Sequence, residues 1–297
     1  MSGISTNRTD ISLPTEVSQE ILTKTQEGSA IMKLARQITL PGKGLTIPMI
    51  TADPDASWVG ETETKPVSNP TLDTKIMQAY KLAVIVPFSD EFRRDMGALY
   101  DEIVRRIPGA LADKFDATVI GKVNKPGDKF DNLSTCTAQS LSTDAYAGLV
   151  AADTDVAEHG GILNGFALSP QAKGVLLSAT DDNGRPLFIN SVAEGAIPQI
   201  LGAATYINRG LYKAGQAASG DDPAVPNIVG IAGDWTKAMY GTVEGVKVSY
   251  STDATLDLGN GNTLNLFQQN MFALRAEIEI GFRADLSVFN LLTTAYA

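Results

Sequence analysis

Cysteine and histidine each occur once in the 297 residues, as Cys136 and His159. Any Ser/His/Asp triad would have to use His159, and no GxSxG turn accompanies it. His159 precedes Gly160-Gly161 at the expected end of a helix, where an imidazole suits the negative end of the helix dipole. Cys136 lies between Thr135 and Thr137 with no basic cluster to lower its pKa. Phosphate loops fail too. The run Pro41-Gly42-Lys43-Gly44-Leu45 has the wrong spacing and no Ser or Thr after its lysine. Residues 259–264, GNGNTL, lack a third glycine and a following helix, and they read as a turn. Residues 181–184, DDNG, lack the remaining calcium-loop positions and the closing Glu. The pairs Asp53/Asp55 and Glu61/Glu63 sit in a polar stretch, where nothing separates their environments into an acid and a base. These residues point to no catalytic, cofactor-binding or metal site, and so away from an enzyme. Trp58 is different. With Val59 beside it and Glu61, Glu63 and Lys65 close by, it offers an apolar anchor with a charged rim, the composition of a contact between subunits.

The totals agree with a structural role. Asp and Glu number 34 against 24 Lys and Arg, a net charge of -10. A chain that gripped nucleic acid broadly through its surface would carry the opposite sign. Hydrophobic residues make up 43%, enough for a sizeable core. No stretch approaches the roughly 20 apolar residues of a membrane-spanning helix, and the first residues, MSGISTNRTD, lack the apolar core of a secretory signal.

The elements that would position these residues follow from periodicity. Residues 1–13 are small and polar and read as a flexible arm. Apolar residues at helical spacing predict two short helices, the first with Val17, Ile21 and Leu22, the second with Ile31, Leu34, Ala35 and Ile38; Gly28 marks the gap. Residues 41–80 predict a long hairpin with a polar, turn-rich tip around Trp58. Two strands alone are marginal in water, so the hairpin calls for another chain beside it. A β-branched run over 81–88 predicts a strand. Leu99, Ile103, Val104, Ile107, Leu111, Phe115 and Val119 mark one face of a long helix, with Pro108 inside it as an expected kink. A helix is expected over 142–156 and a strand over 165–168. Ser169-Pro170, an N-cap with Pro at N1, opens a further helix. Strands are expected over 200–207, 227–231 and 245–250, and loops over 125–135, 214–226 and 257–263. Strict period two over 272–283 predicts a long strand with one apolar and one charged face, and a short strand over 288–292 closes the chain. The fold class is α+β, a long helix lying against a long antiparallel sheet.

The order of these segments resembles a specific family. The run Ala56-Ser57-Trp58-Val59-Gly60-Glu61 lies in a hairpin behind a polar arm. The strand Lys81-Leu82-Ala83-Val84 runs into Ser89-Asp90-Glu91-Phe92-Arg93-Arg94-Asp95 and a long helix. Leu168-Ser169-Pro170, Gly184-Arg185-Pro186-Leu187, Gly233-Asp234-Trp235 and Ala273-Leu274-Arg275-Ala276-Glu277 follow in order. The pattern is similar to the major capsid proteins of tailed bacteriophages with the Hong Kong 97-type fold and covers nearly the whole chain. The resemblance implies an N-terminal arm and short helices over 1–40 and an extended E-loop hairpin over 41–80. It implies a peripheral domain with a spine helix over 81–132, an axial domain over 133–235 and peripheral return strands over 236–297.

It also implies a subunit that self-assembles as pentamers and hexamers into an icosahedral head shell, enclosing double-stranded DNA without sequence-specific binding. The implied partners are further copies of the chain, a portal, a separate scaffolding protein and decoration proteins, with no membrane. The implied place is the virion, assembled in the host bacterial cytoplasm. Two other readings remain open. An encapsulin, a cellular shell of the same fold around a cargo enzyme, is disfavoured by the polar arm, because cargo docking there uses an apolar groove near the N-terminal helix. A hydrolase of unrecognised type would need a deep polar pocket.

Overall fold

A computed structural model describes residues 15–42, 44–52, 58–59, 64, 67, 71–91, 96–181, 183–188, 199–219 and 223–296. The proposed arm, residues 1–13, lies outside them. Two helices open the described chain, α1 (Thr15–Gly28) and α2 (Ala30–Leu34), then β1 (Arg36–Thr39). The hairpin strands are β2 (Leu45–Ala52) and β3 (Thr71–Met77), followed by β4 (Tyr80–Ser89) and the long helix α3 (Met96–Val119). Next come β5 (Thr137–Ser140), α4 (Ala145–Glu158), β6 (Gly165–Leu168), α5 (Pro170–Ser178), β7 (Gln199–Ile200) and β8 (Ala203–Ile207). The last third holds β9 (Asn227–Gly233), β10 (Ala238–Thr242), β11 (Lys247–Ser251), β12 (Thr255–Gly259), β13 (Asn262–Asn265), β14 (Met271–Ala284) and β15 (Phe289–Thr294).

The α+β reading holds, with two sheets as its frame. The long strand β14 is the axis of the first. On one side it pairs antiparallel with β4 along Met271–Ile280; on the other it pairs with β11 through its first half and β10 through its second. β1 adds to β10 in parallel. The second sheet has the order β5-β15-β9-β6-β8-β7. Its one face carries α4 and α5 over a core of Leu149, Ala152, Phe166, Leu168 and Leu176. Its other face joins the main core, where Phe115 and Val119 of α3 meet Phe282, Phe289 and Trp235. Phe115 sits edge-on to Phe130, Tyr240 and Phe282 at ring separations of 6.2–6.4 Å, the favoured arrangement of aromatic quadrupoles.

Local chemistry sets several boundaries. Ser29 ends the first helix and caps the second by accepting from Met32 N. Ser169 accepts from Ala172 N ahead of Pro170, and Asp144 accepts from Ala147 N; each fills an orphan donor of a first turn. α3 runs on through Pro108.

Three expectations need correction. The second apolar set, Ile31 to Ile38, is not one helix: α2 stops at Leu34 and Ile38 belongs to β1. Pairing with β10 outweighs a helical spacing carried by only four residues. Residues 257–263 are not a plain loop but part of the hairpin β12–β13, in which Gly259, Asn260 and Gly261 all have positive φ. The closing strand β15 does not stay with the sheet of β14. It crosses to the second sheet, between β5 and β9, and Phe289 through Thr293 are all buried. A short apolar run says that it is buried but not in which sheet.

Asp116 of α3 locks the break between α1 and α2. Its fully buried carboxyl accepts from Ser29 Oγ at 2.5 Å and from Ala30 N at 3.0 Å. Burial pushes the carboxyl up from 3.8 to about 7, with Asp113 adding to the effect and the hydrogen bonds opposing it. The folded state therefore holds a proton that the unfolded chain releases, so this group's contribution to stability falls as pH rises from about 4 to about 7. Asp116→Asn, which mimics the protonated form, should melt like the parent near pH 4 and above it near pH 8. Parallel melting curves across that range would rule out the linkage.

Candidate assembly surfaces

Among the described residues the hairpin β2–β3 pairs only with itself, from Leu45 opposite Met77 to Ala52 opposite Thr71. Its root is nevertheless fixed. Ile47 and Met77 are buried with Leu40. Gly44 turns with φ +88°, and a Cβ there would meet Met77 O at 2.7 Å; only glycine fits that turn. On β14, a Cβ at Gly281 would meet Gln78 O at 2.6 Å, so the chain leaving the hairpin crosses directly over glycine.

Charge completes the root. Arg283 donates through Nε and Nη2 to Ile76 O at 2.9 and 2.7 Å and through Nη1 to Asp131 at 2.6 Å. The two side chains are 10% and 14% exposed. Asp131 also accepts from Ala284 N, while Lys75 donates to Ala284 O at 2.9 Å. A desolvated arginine fork of this kind holds geometry better than a surface pair. Sequence reasoning missed it: Arg283 reads as one more residue on the charged face of its strand, and Asp131 as a loop residue. No local signal connects two residues so far apart in the chain.

Beyond the root, the few described residues of the tip are largely exposed. Trp58 is 104% exposed and Val67 84%, while Val59 is half-buried. The other three contact candidates, Glu61, Glu63 and Lys65, lie outside the described residues. An indole that would bury roughly 150–250 Å² at an interface and is wholly in solvent is the informative kind of exposure.

The residues with reactive chemistry take structural positions. Cys136 donates to Leu286 O at 3.4 Å, and burial pushes its thiol up to about 12, the reverse of what a nucleophile needs. His159 is the C-cap of α4, with Nδ1 2.7 Å from Asp155 O. Asp181 closes its turn by accepting from Asn183 N and Arg185 N. The GNG run is the β12–β13 turn.

Comparison with known proteins matches residues 10–287 to the Phage capsid family. The chain is 28% identical to the probable major capsid protein of Mycobacterium phage L5, over 96% of this chain and 90% of that one. Its fold is similar to a chain from Mycobacterium phage Ogopogo, at TM-score 0.68 and 18% identity, covering 90% and 92% of the two chains. It is also similar to the capsid of an empty GTA particle determined with C5 symmetry, at TM-score 0.61 and 16% identity, covering 90% of each.

Proposed function

This chain belongs to the phage capsid family, and from that premise we infer that its β2–β3 hairpin is the arm by which one subunit holds the next. The chain is a major capsid protein, a structural subunit of the phage head and part of the virion, and it works by assembling with copies of itself rather than by catalysis. Neither the encapsulin nor the hydrolase reading has support from the relatives.

The observation that carries the role of the arm is the contrast along the hairpin. Its root is locked by Arg283 and Asp131, and its far part presents Trp58 entirely to solvent. A rigid lever with an unsatisfied aromatic at its end gains little within its own subunit. It gains a buried anchor once a neighbour supplies a pocket. On this reading Trp58 and Val59 form the apolar contact, and Glu61, Glu63 and Lys65 form its rim.

The finer organisation follows the family. The five-stranded sheet with α3 corresponds to the peripheral domain and the six-stranded sheet to the axial domain, with subunits grouped as pentamers and hexamers. A portal, a separate scaffolding protein and decoration proteins complete the particle, which assembles in the host cytoplasm around double-stranded DNA. The charge of -10 fits an envelope rather than a phosphate grip; binding of the subunit to duplex DNA that fell steeply with salt would contradict this.

Limited proteolysis tests the arm. Glu-C should cut at Glu61 or Glu63 in the free subunit, and assembly should slow that cut at least tenfold. Equal cleavage in both states would show that the tip meets no neighbour.

A further inference from the structure

The sequence holds three Asn-Gly pairs, at 164–165, 183–184 and 260–261. An Asn followed by glycine is the least hindered setting for one reaction of the backbone itself. The glycine nitrogen loses its proton and attacks Cγ of the Asn side chain. A cyclic succinimide forms and ammonia leaves. Water then opens the ring at either carbonyl, giving Asp or isoaspartate. The reaction needs a free glycine N–H, an unrestrained Asn side chain and a backbone able to move.

Two of the pairs are held against it. Asn164 donates through Nδ2 to Asp234 at 2.9 Å and accepts from Trp235 N at 2.9 Å. Gly165 is buried in β6, where a Cβ would meet Trp235 Cδ1 at 2.7 Å. Gly184 donates its N–H to Asp181 O at 2.9 Å, and the Asp181 carboxylate accepts from Asn183 N and Arg185 N. A nitrogen that donates a hydrogen bond gives up its proton less readily, and breaking the turn around it costs free energy.

Asn260-Gly261 has none of these restraints. Both residues are exposed at the tip of β12–β13. Neither the Asn260 side chain nor the Gly261 N–H has a hydrogen-bond partner among the described residues. A Cβ at Gly261 would meet nothing within 4 Å. The two residues turn with φ of 55° and 78°, and ring closure needs a different backbone geometry, so the turn has to open. That opening is within easy reach. Among the described residues β12 and β13 pair only with each other, and their register slips between Asp257 and Gly259. No residue from Thr255 to Asn265 is buried. Two strands alone are marginal in water, and segments with few buried contacts open at little cost.

We propose that Asn260 is a self-modification site of this subunit, converting to Asp and isoaspartate by attack of the Gly261 nitrogen while Asn164 and Asn183 persist. Each conversion replaces a neutral amide by a carboxylate at an exposed tip. Isoaspartate also adds a methylene to the backbone of the two-residue turn between Gly259 and Asn262. The mark accumulates with the age of the chain.

Peptide mapping by mass spectrometry tests this on the full chain held in mildly alkaline buffer. Asp and isoaspartate should appear at residue 260 roughly tenfold or more ahead of residues 164 and 183, with ammonia released in step. In denaturant the three pairs should convert at similar rates, because the folded surroundings make the difference. Asn260→Asp should abolish the early ammonia and leave the melting curve of the subunit unchanged. Conversion at residue 260 no faster than at 164 or 183 would overturn the proposal. So would a lead of residue 260 that persists undiminished in denaturant, or early ammonia from Asn260→Asp.

Discussion

A subunit whose residues 53–69 are replaced by a short Asn-Gly link folds, melts as the parent does, and builds no stable shell. The fold survives because the replaced segment starts where the β2–β3 ladder ends, at Ala52 opposite Thr71, and the core lies elsewhere. Phe115, Phe130, Phe282 and Tyr240 form the main cluster, and Ile107, Leu111, Phe272 and Ile278 form a second between α3 and β14. Each such side chain contributes roughly 1.5–3 kcal/mol by its burial, and none is in the replaced segment. Assembly is expected to fail because Trp58, wholly exposed in the subunit, is the proposed anchor that the replacement removes. Truncating an aromatic anchor commonly costs about 2 kcal/mol or more at one contact, roughly thirtyfold in affinity, and a shell repeats the contact at every copy. Trp58→Ala alone should therefore weaken assembly visibly. Circular dichroism melting beside electron microscopy reads both halves. Unfolding of the shortened subunit would make the segment part of the core; normal shells would show that the hairpin is not an assembly element.

Arg283→Ala has the opposite signature, a loss of stability in the free subunit. Three donors of one guanidinium hold Ile76 O and Asp131 in a site almost closed to water. Removing one partner of a buried pair strands the other and costs about 3–5 kcal/mol. Lys75, 3.5 Å from Asp131, softens the loss toward about 3 kcal/mol. At roughly 2–4 °C per kcal/mol for a chain of this size, melting should fall by about 6–12 °C. Arg283→Lys keeps the charge without the fork and should lie between. Asp131→Leu combined with Arg283→Met should recover part of the loss, because the two most buried charges go together and only the more exposed Lys75 loses a partner. A melting temperature within a degree of the parent for Arg283→Ala would mean that apolar packing of Ile47 and Met77 fixes the root unaided.

Much of the architecture is legible in the sequence, and the residues show why. Strict alternation from Phe272 to Arg283 is long enough to define β14, and the helical spacing from Ile107 to Val119 defines the buried face of α3. Ser169-Pro170 places the start of α5 to the residue. Legibility fails where a pairing between distant segments decides. β1 is a strand because β10 lies beside it, and β15 joins the second sheet because β9 and β5 flank it. The β12–β13 hairpin is written in polar residues, so its period is faint. The proposed hairpin arm divides in the same way. The exposure of Trp58 accords with its polar neighbourhood, whereas the Arg283–Asp131 root exists only once the chain has folded. The separation of Arg275 and Glu277, a paired and partly exposed couple, from Arg283 on the same nominal face shows how covering by the hairpin root turns one charged position into a structural one.

The central claim is that this chain builds closed shells from copies of itself. Negative-stain electron microscopy of the purified protein, with a scaffolding protein supplied if closure requires one, tests that claim most directly. The account predicts closed, uniform particles in the parent. A chain that stays monomeric under every condition, scaffold included, would contradict it.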